Sequence, residues 1–559
     1  MNKMLLAGWL VVLLLSSVYG KEEEVESQLR QFIADRVKQL EPMALASALA
    51  QWKASTTGRE EDYEQFNQWQ LKIKELYSDR NAFAQVKKWK ESQLVKDELL
   101  RRQLDLLYWA HLRNQIEPEL LKQIVALDTK IQKTYNTFRG EMDGKKVTNS
   151  DIYKIMTAEK DSRIRELAWR ASKQVGDVIA KDLIQLVKLR NQAARPLGFD
   201  NYHTLSITAG EQDVKELDRI FQTLDDLTRR PFAEMKAELD QILAKDYGVE
   251  ASALMPWHYH DPFFQRTPLV YEFNLDRIYE KFDVKQLAEK FYAGIGLPVD
   301  DILARSDLYD REGKDPNAFS TDIDRKGDVR ILCNLNNDER WMETILHELG
   351  HAVYDKYHDM DLPYLLREPA HSFATEGVAM FFGRLSRNAD WMKAMLDLPN
   401  DDYAAAVKVG GKYLRFQQIL FARWALVMYH FEKQLYADPD GDLNNLWWDM
   451  VKKYQLVNPP AEAHGANWAA KFHFTIAPCY YHNYMLGELF ASQLSAAIVR
   501  NAPRLSDGGN VRYVGDKAVG DFLREKVFAP GSRYSWNEMI ERATGEKLNP
   551  KYFVEQFLQ

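Results

Sequence analysis

From residue 21 to about residue 207 the chain is almost free of glycine and proline, and its apolar residues recur at helical spacing. One such helix has an apolar face formed by Leu183, Leu186, Val187 and Leu189. Pro196 and Gly198 then end the run. The pattern predicts a mostly α protein with charged helix faces turned to water. Because no fixed-period repeat or low-complexity linker marks a boundary, we expect a single domain over residues 21–559.

The first 20 residues have the layout of a secretory signal peptide. Lys3 is followed by an apolar run from Met4 to Leu15 and by small residues towards Gly20. The run is short for a membrane span, and no later segment is apolar for long enough to be one. We therefore expect a signal peptide at residues 1–20 and an exported, periplasmic or secreted protein without stable membrane insertion after cleavage. An uncleaved anchor is the alternative.

Cysteine count and charge narrow the class of protein further. Only Cys333 and Cys479 are present, so the fold must be held by its core, and whether the two pair stays open. The net charge of −8 is spread over both signs, without a basic block that carries interleaved aromatic residues. Nucleic acid is therefore not expected as a partner.

The pattern changes between residues 315 and 337. Phe319, Thr321 and Ile323 alternate with other residues, residues 324–327 (DRKG) are typical of a turn, and alternation then resumes at Val329. This predicts a β-hairpin in an otherwise helical protein. The hairpin ends directly before the segment HELGH, residues 347–351.

The HELGH segment lies on a predicted helix that Asp338 is placed to cap. His347 and His351 are four residues apart, so both imidazoles project from one helix face and can bind one metal ion, with Glu348 beside them. A second helix, SFATEGVAMFFGRL, offers Glu376 as a third ligand. Three protein ligands and one open position form the usual catalytic zinc site. The bare motif can arise by chance, but its context favours zinc binding.

Two longer segments resemble one known family. REPAHSFATE (367–376) is similar to the segment that carries the third ligand in the angiotensin-converting-enzyme family of zinc peptidyl dipeptidases. KFHFTIAPCYYHNY (471–484) is similar to that family's KFH…Y-x-x-Y segment, apart from one inserted residue. The resemblance is specific over about residues 315–490 and looser over the N-terminal half. It implies a mostly helical, two-lobed ellipsoid with zinc deep in a central channel and a small β-hairpin beside the zinc helix.

The resemblance also implies roles for individual residues of the metal centre. It makes His347, His351 and Glu376 the zinc ligands. Glu348 becomes the general base, which takes a proton from the attacking water and later gives it to the leaving amine.

Four residues of the KFH segment are implied to contact the substrate. His473 and Tyr484 would donate hydrogen bonds to the tetrahedral oxyanion. Lys471 and Tyr481 would bind the free C-terminal carboxylate of a peptide. An ordinary surface or core position is the competing interpretation for all four.

The hairpin and several departures from the family pattern affect substrate binding. The backbone around Ala318 and Ser320 is placed to hold an extended peptide, which can add a strand to an exposed sheet edge. Asn317 stands where the family has a substrate-binding His, and Met380 replaces an Asp that orients a ligand His. Asn483 replaces an Arg associated with chloride, so chloride activation is not expected.

One further family residue, a carboxylate-binding Gln, is expected within PWHYHDPFF (256–264), near Tyr259, where no Gln occurs. The sequence still predicts an exported zinc metallopeptidase that acts on short peptides and releases C-terminal dipeptides. An endo-acting oligopeptidase of the thimet oligopeptidase kind is the main alternative. A catalytically silent peptide-binding homologue and a helical structural protein with incidental His spacing are the other two.

Overall fold

The structure is a computed structural model that describes residues 2–268, 270, 274–461, 465–507, 510–511 and 513–558, with the backbone alone for residues 2–19, 506–507 and 510–511. Within these residues there are 23 α-helices, and the strands form three antiparallel two-stranded sheets. The predicted mostly α fold is confirmed.

The N-terminal part contains helices α1 (Asn2–Thr57), α2 (Glu60–Ser78), α3 (Arg80–Ser92), α4 (Glu98–Leu112), α5 (Pro118–Thr137), α6 (Asn149–Ala158), α7 (Ser162–Ala194) and α8 (Tyr202–Ala209), with strands β1 (Gly140–Met142) and β2 (Lys145–Val147) between α5 and α6. The middle part contains α9 (Val214–Tyr247), α10 (Asp276–Tyr279), α11 (Val284–Gly294), α12 (Asp300–Arg305), β3 (Phe319–Asp322), β4 (Val329–Leu332), α13 (Glu339–Lys356) and α14 (Ser372–Gly383).

The C-terminal part contains α15 (Ala389–Leu396), α16 (Asn400–Ala405), α17 (Gly411–Ala437), α18 (Leu443–Gln455), α19 (His473–Ile476), α20 (His482–Asn501), β5 (Ser506–Asp507), β6 (Asn510–Val511), α21 (Lys517–Leu523), α22 (Trp536–Thr544) and α23 (Lys551–Leu558).

The core divides into one large cluster and smaller ones. The large cluster joins the inner faces of α7, α9, α13, α14, α17 and α20. The four leucine and valine side chains predicted for the apolar face of α7 all lie within the core. Each buried side chain of this kind stabilises the fold by about 1.5–3 kcal/mol. A second cluster packs α1, α3 and α4 against Leu365, just before α14, and so fixes the N-terminal helices beside that segment.

The predicted hairpin is confirmed. Strand β3 pairs antiparallel with β4, with Phe319 opposite Leu332 and Asp322 opposite Val329. The turn needs positive φ at Arg325 (55°) and Gly327 (108°), which a glycine adopts without strain. Helix α13 begins one residue after Asp338, whose carboxylate accepts a hydrogen bond from the Trp341 N–H as the predicted cap.

Two further sequence expectations concern the N-terminal segment and the two cysteines. The predicted signal peptide begins at Met1, outside the described residues, and the side chains of residues 2–19 also lie outside them. Among the described residues, no helix combines the length and apolar character that a membrane crossing needs. Cys333 and Cys479 are both buried and both free, so they do not pair.

Candidate metal centre and peptide-binding site

Three glycines allow α13, α14 and α20 to approach closely. A Cβ atom on Gly350 of α13 would lie 2.8 Å from the Ala379 Cα atom on α14. A Cβ atom on Gly377 of α14 would lie 2.9 Å from the Gly487 carbonyl oxygen on α20. Any larger side chain would push these helices apart, because packed interiors leave no room for added methyl groups. Helix α14 is thereby held against α13, which brings Glu376 to the two histidines.

The three predicted metal ligands do converge. His347 Nε2 lies 3.2 Å from His351 Nε2, 3.6 Å separates His347 Nε2 from Glu376 Oε1, and 3.5 Å separates His351 Nε2 from Glu376 Oε2. Three ligands about 2.0–2.1 Å from one tetrahedral ion would be about 3.3 Å apart. The His-His-Glu set therefore fits a zinc ion, and it is the one such cluster found among the described residues.

A neighbouring hydroxyl orients one of these ligands. The Thr375 Oγ1 atom lies 2.8 Å from His351 Nδ1. When Nδ1–H donates to this oxygen, Nε2 keeps its lone pair for the metal. The family's orienting Asp is replaced by Met380, as the sequence shows, and Thr375 on the preceding turn of α14 supplies the missing contact for His351. The sequence analysis missed this residue, although it adjoins the ligand Glu376.

Glu348 is buried between the metal centre and the hairpin. Burial raises the pKa of Glu348 to about 7, and the nearby Glu376 carboxylate also raises this pKa. His347 and a hydrogen bond from the Ser320 backbone act in the opposite direction and lower the pKa. The hairpin therefore contacts the predicted general base. A carboxyl group with a pKa close to neutral suits proton transfer in both directions.

A second group of residues surrounds Lys471, whose side chain is buried. Its ammonium donates a hydrogen bond to Gln265 Oε1 at 2.7 Å and lies 5.2 Å from the Tyr481 ring centre. The Tyr481 hydroxyl in turn accepts a hydrogen bond from Trp424 Nε1 at 2.7 Å. Burial lowers the pKa of Lys471 to about 8. Among the residues that the structure describes, no carboxylate lies within ion-pair distance of this ammonium.

Gln265 corrects one sequence expectation. The sequence analysis placed the carboxylate-binding position near Tyr259 and found no Gln there. The Tyr259 hydroxyl is instead committed to the core, where it contacts Lys236 Nζ at 2.7 Å and Asp240 Oδ1 at 3.0 Å. Phe264 has a positive φ of 49°, and the turn at this point presents the next residue, Gln265, to Lys471. Gln265 follows directly after residues 256–264, where the resemblance placed this position.

His473 and Tyr484 both lie next to Tyr481 of the Lys471 group. Their ring centres are 6.4 Å apart, and His473 lies 5.0 Å from the Tyr481 ring. Burial lowers the pKa of His473 to about 4, so its imidazole is neutral at pH 7 and offers one N–H. Burial and the nearby Tyr480 and Glu376 raise the pKa of Tyr484 to about 12, which keeps its hydroxyl protonated. Both groups can therefore donate hydrogen bonds.

The position predicted to lack a chloride-binding Arg is filled by neutral groups. Gln212 Nε2 donates a hydrogen bond to Asn483 Oδ1 at 2.8 Å, and Gln212 Oε1 lies 2.8 Å from His482 Nε2. All three side chains are buried. Burial lowers the pKa of His482 well below its ordinary value, so this imidazole is uncharged.

A cavity of about 620 Å³ extends along the metal centre and the hairpin. It is lined by the triad, Glu348, Ala318 and Ser320, among others. Asn317 is exposed and hydrogen-bonded to Asp315, and it is not one of the lining residues. A second cavity of about 380 Å³ shares the wall formed by residues 368–372.

Comparison with known proteins identifies the family. The sequence model of peptidase family M3 matches residues 155–558, which contain the triad, Glu348 and the Lys471 group. The chain belongs to peptidase family M3. The model of angiotensin-converting enzyme matches residues 23–260. Members of both families are zinc metallopeptidases, and this M3 chain is accordingly a metallopeptidase. The similarity to angiotensin-converting enzyme is confirmed, although its model covers the N-terminal half and not the segment 315–490.

Curated relatives of this M3 peptidase carry related names. Carboxypeptidase 1 of Bacillus subtilis is 25% identical over 267 residues, 42% of this chain and 51% of that protein. Thermostable carboxypeptidase 1 of Pyrococcus furiosus is 22% identical over 432 residues, 72% of this chain and 78% of that protein. The angiotensin-converting enzyme-related protein of Drosophila melanogaster is 24% identical over 256 residues, 43% of this chain and 40% of that protein. The match thus spans about half the length of the Bacillus protein.

Proposed function

We propose that this M3 metallopeptidase is a zinc peptidyl dipeptidase that binds the free C-terminal carboxylate of a short peptide. The observation that carries the proposal is the buried Lys471 ammonium, which has Gln265 and Tyr481 beside it. Among the described residues no carboxylate forms an ion pair with it, and Asp261 only raises its pKa from a greater distance. A buried cation without a counter-charge is costly, and a peptide carboxylate would supply that charge. Such a contact also fixes which peptide bond lies over the metal centre.

The residues of the site have distinct roles in this proposal. A zinc ion bound by His347, His351 and Glu376 would polarise the scissile carbonyl and acidify water. Glu348 takes the proton of the attacking water and gives it to the leaving amine, so the amide hydrolyses without an outside acid. Neutral His473 and the Tyr484 phenol donate hydrogen bonds to the oxyanion, where charge develops in the transition state.

Removal of a single C-terminal residue is a second candidate, because two of the relatives carry the name carboxypeptidase. The same Lys471 contact would serve either reaction. The two reactions differ in the number of residues between the carboxylate bound by Lys471 and the scissile bond. The length of the released product gives that number directly. Cleavage at internal bonds would instead support the oligopeptidase alternative.

The test compares one decapeptide with a free C-terminus and the same peptide with an amidated C-terminus. We expect a released dipeptide from the free acid, identified by mass, and a loss of about 1.5–3 kcal/mol in kcat/KM on amidation. Lys471→Met should remove the preference for the free acid. Lys452→Met, an exposed lysine on α18, should leave it intact. Equal cleavage of both peptides at internal bonds would refute the proposal.

We also propose that the protein is exported. The support is the layout of residues 1–20, with Lys3, the apolar run and small residues at its end. Expression of the whole chain in a bacterium, followed by fractionation and N-terminal sequencing, tests this. A periplasmic protein that begins near Lys21 is expected, and a cytoplasmic protein that keeps its first 20 residues would contradict the proposal.

A further inference from the structure

Trp424 of α17 lies beside the Lys471 group and is fully buried. Its Nε1–H donates a hydrogen bond to the Tyr481 hydroxyl oxygen at 2.7 Å. The two rings meet edge to face, with ring centres 6.2 Å apart and an angle of 89° between the ring planes. The Lys471 ammonium lies 5.2 Å from the centre of each ring. Trp424 is thus next to both residues that the proposed function assigns to the peptide carboxylate.

The hydrogen bond between these two rings has a fixed direction, because an indole N–H can only donate. The Tyr481 hydroxyl can donate and accept, and it accepts from Trp424. Burial raises the pKa of Tyr481, although the hydrogen bond from Trp424 opposes this rise, so the hydroxyl stays protonated. Its own proton therefore needs another acceptor. Among the described residues, none lies within hydrogen-bond distance.

The neighbouring polar groups leave this need unmet. Lys471 has three N–H donors, and the one hydrogen bond found for them within the described part of the chain goes to Gln265 Oε1 at 2.7 Å. Burial lowers the pKa of Lys471 and raises that of Tyr481. Asp261 raises both pKa values from beyond hydrogen-bond distance, and Arg266 lowers both. The Asp261 carboxylate instead accepts a hydrogen bond from the Gln265 N–H at 3.2 Å.

A free C-terminus and an amidated C-terminus differ in hydrogen-bonding capacity. A carboxylate has acceptors only, so it can accept from both the Tyr481 O–H and the Lys471 ammonium. A primary amide has one carbonyl acceptor and two N–H donors. One amide N–H would then face the Tyr481 proton, and a buried donor without an acceptor is unfavourable. The direction of the Tyr481 O–H therefore decides between the two kinds of peptide.

We propose that Trp424 is a positioning residue for recognition of the peptide C-terminus. Its indole N–H keeps the Tyr481 hydroxyl as a donor, so that the enzyme binds a free carboxylate and rejects an amidated C-terminus. Without the indole, the Tyr481 proton can turn away and the hydroxyl can accept an amide N–H. This inference rests on the proposed function, in which Lys471 and Tyr481 contact the carboxylate. Because Trp424 acts through Tyr481 and not on the scissile bond, its loss should raise KM for the free acid and leave kcat nearly unchanged.

The test measures kcat/KM for the free and the amidated decapeptide, and the ratio of the two values is the free-acid preference. In Trp424→Phe this preference should fall at least about tenfold, the effect of one hydrogen bond to a charged group. Tyr481→Phe should lower it by a similar factor. When both changes are combined, Trp424→Phe should add less than about twofold to the effect of Tyr481→Phe, because the indole has no hydroxyl left to orient. A Trp424→Phe enzyme that keeps the parent preference would overturn the inference, as would two changes whose effects multiply.

Two further variants separate the lost N–H from lost packing. Replacement of Trp424 by 3-benzothienylalanine exchanges the N–H for sulfur and keeps the bicyclic ring, so it should reduce the preference as Trp424→Phe does even if the smaller ring impairs folding. Trp447→Phe is the matched control. Trp447 is 3% exposed and its ring centre lies 5.9 Å from that of Trp424, but the Tyr481 hydroxyl accepts from Trp424 and not from Trp447. Trp447→Phe should keep the preference, and an equal loss in this variant would assign the effect to packing and overturn the inference.

The products separate this inference from the proposed function. Release of a single C-terminal residue, with a free-acid preference that disappears in both Trp424 variants, would refute the dipeptidase proposal and support the role of Trp424. Release of dipeptides, with a preference that both Trp424 variants retain, would refute the role of Trp424 alone. Equal cleavage of the two peptides by the parent enzyme would refute both.

Discussion

The Thr375 hydroxyl on α14 lies 2.8 Å from His351 Nδ1 on α13. This contact joins the two helices that carry the candidate metal ligands. The resemblance to angiotensin-converting enzyme implies a carboxylate for this purpose one turn further along α14, where Met380 stands. An uncharged partner makes His351 a weaker electron donor than a carboxylate would. The orientation of His351 therefore depends on a neutral hydrogen bond.

Thr375→Val should weaken metal binding by about 10–100-fold, because the variant keeps the side-chain shape but loses the oxygen that orients His351. Competition with a chelator of known affinity measures this. Thr344→Val is the matched control, since that hydroxyl contacts only the Arg340 carbonyl oxygen of its own helix. Unchanged metal affinity in Thr375→Val would mean that packing alone orients His351.

Glu348→Ala should keep the metal but reduce peptide hydrolysis to about 1% of the parent rate or less, because general-base catalysis contributes a factor of this size. Metal content and turnover are measured on the same preparation. Glu376→Gln provides the contrast, since loss of a ligand should lower metal content as well as rate. Substantial turnover by metal-loaded Glu348→Ala would assign the base to another residue.

Tyr484→Phe should lower kcat about 100-fold with little change in KM, because an oxyanion donor acts mainly on the transition state, at about 3 kcal/mol per donor. Tyr480→Phe is the comparison on the same segment. The Tyr480 hydroxyl is already hydrogen-bonded to the Ser372 side chain, so its loss should have a much smaller effect on kcat. A rise in KM alone would place Tyr484 in ground-state binding.

Activity should change less than about twofold between chloride-free acetate buffer and chloride at constant ionic strength. The pair Gln212 and Asn483 is neutral, and a buried amide pair offers no charge to an anion. Steady-state rates across a chloride titration check this. Activation by about tenfold would implicate Arg113, a cation that lines the same cavity as Asn483.

Glu432→Gln should stabilise the protein at high pH. Burial raises the pKa of Glu432 to about 8, although the Cys479 N–H and Arg190 oppose this rise. The folded chain therefore keeps a proton that the unfolded chain releases above about pH 4.3, and stability falls as the pH rises from there to about 8. The amide keeps the acceptor for Cys479 N–H and removes this loss. Its melting temperature should exceed that of the parent at pH 8.5 and differ little at pH 4.5. A difference independent of pH would contradict the assignment.

Local features of the site could be predicted from the sequence because short-range geometry sets them. The spacing of His347 and His351 places both on one face of any α-helix, wherever that helix lies. The cap at Asp338 and the turn of the hairpin also depend only on neighbouring residues. These predictions needed no knowledge of the rest of the chain, and the structure bears out each of these elements.

The contacts between distant segments were decided by tertiary structure alone. Gln265 and Lys471 are 206 residues apart, and they meet because a turn with positive φ at Phe264 shifts the side chain that faces the site by one position. The spacing of apolar residues in the sequence does not reveal such a turn. The strain of a positive φ at a residue other than glycine is offset by packing against residues that are distant in the chain.

The sequence by itself determined the helical class, the hairpin and the residue types that can hold a metal. Only the tertiary structure decided which groups complete the candidate site: the close approach at Gly350 and Gly377 that delivers Glu376, the hydroxyl of Thr375, and the contact of Gln265 with Lys471. The physical reason is that backbone periodicity is encoded within one or two helical turns, whereas the partner of a buried polar group depends on how whole helices pack against one another.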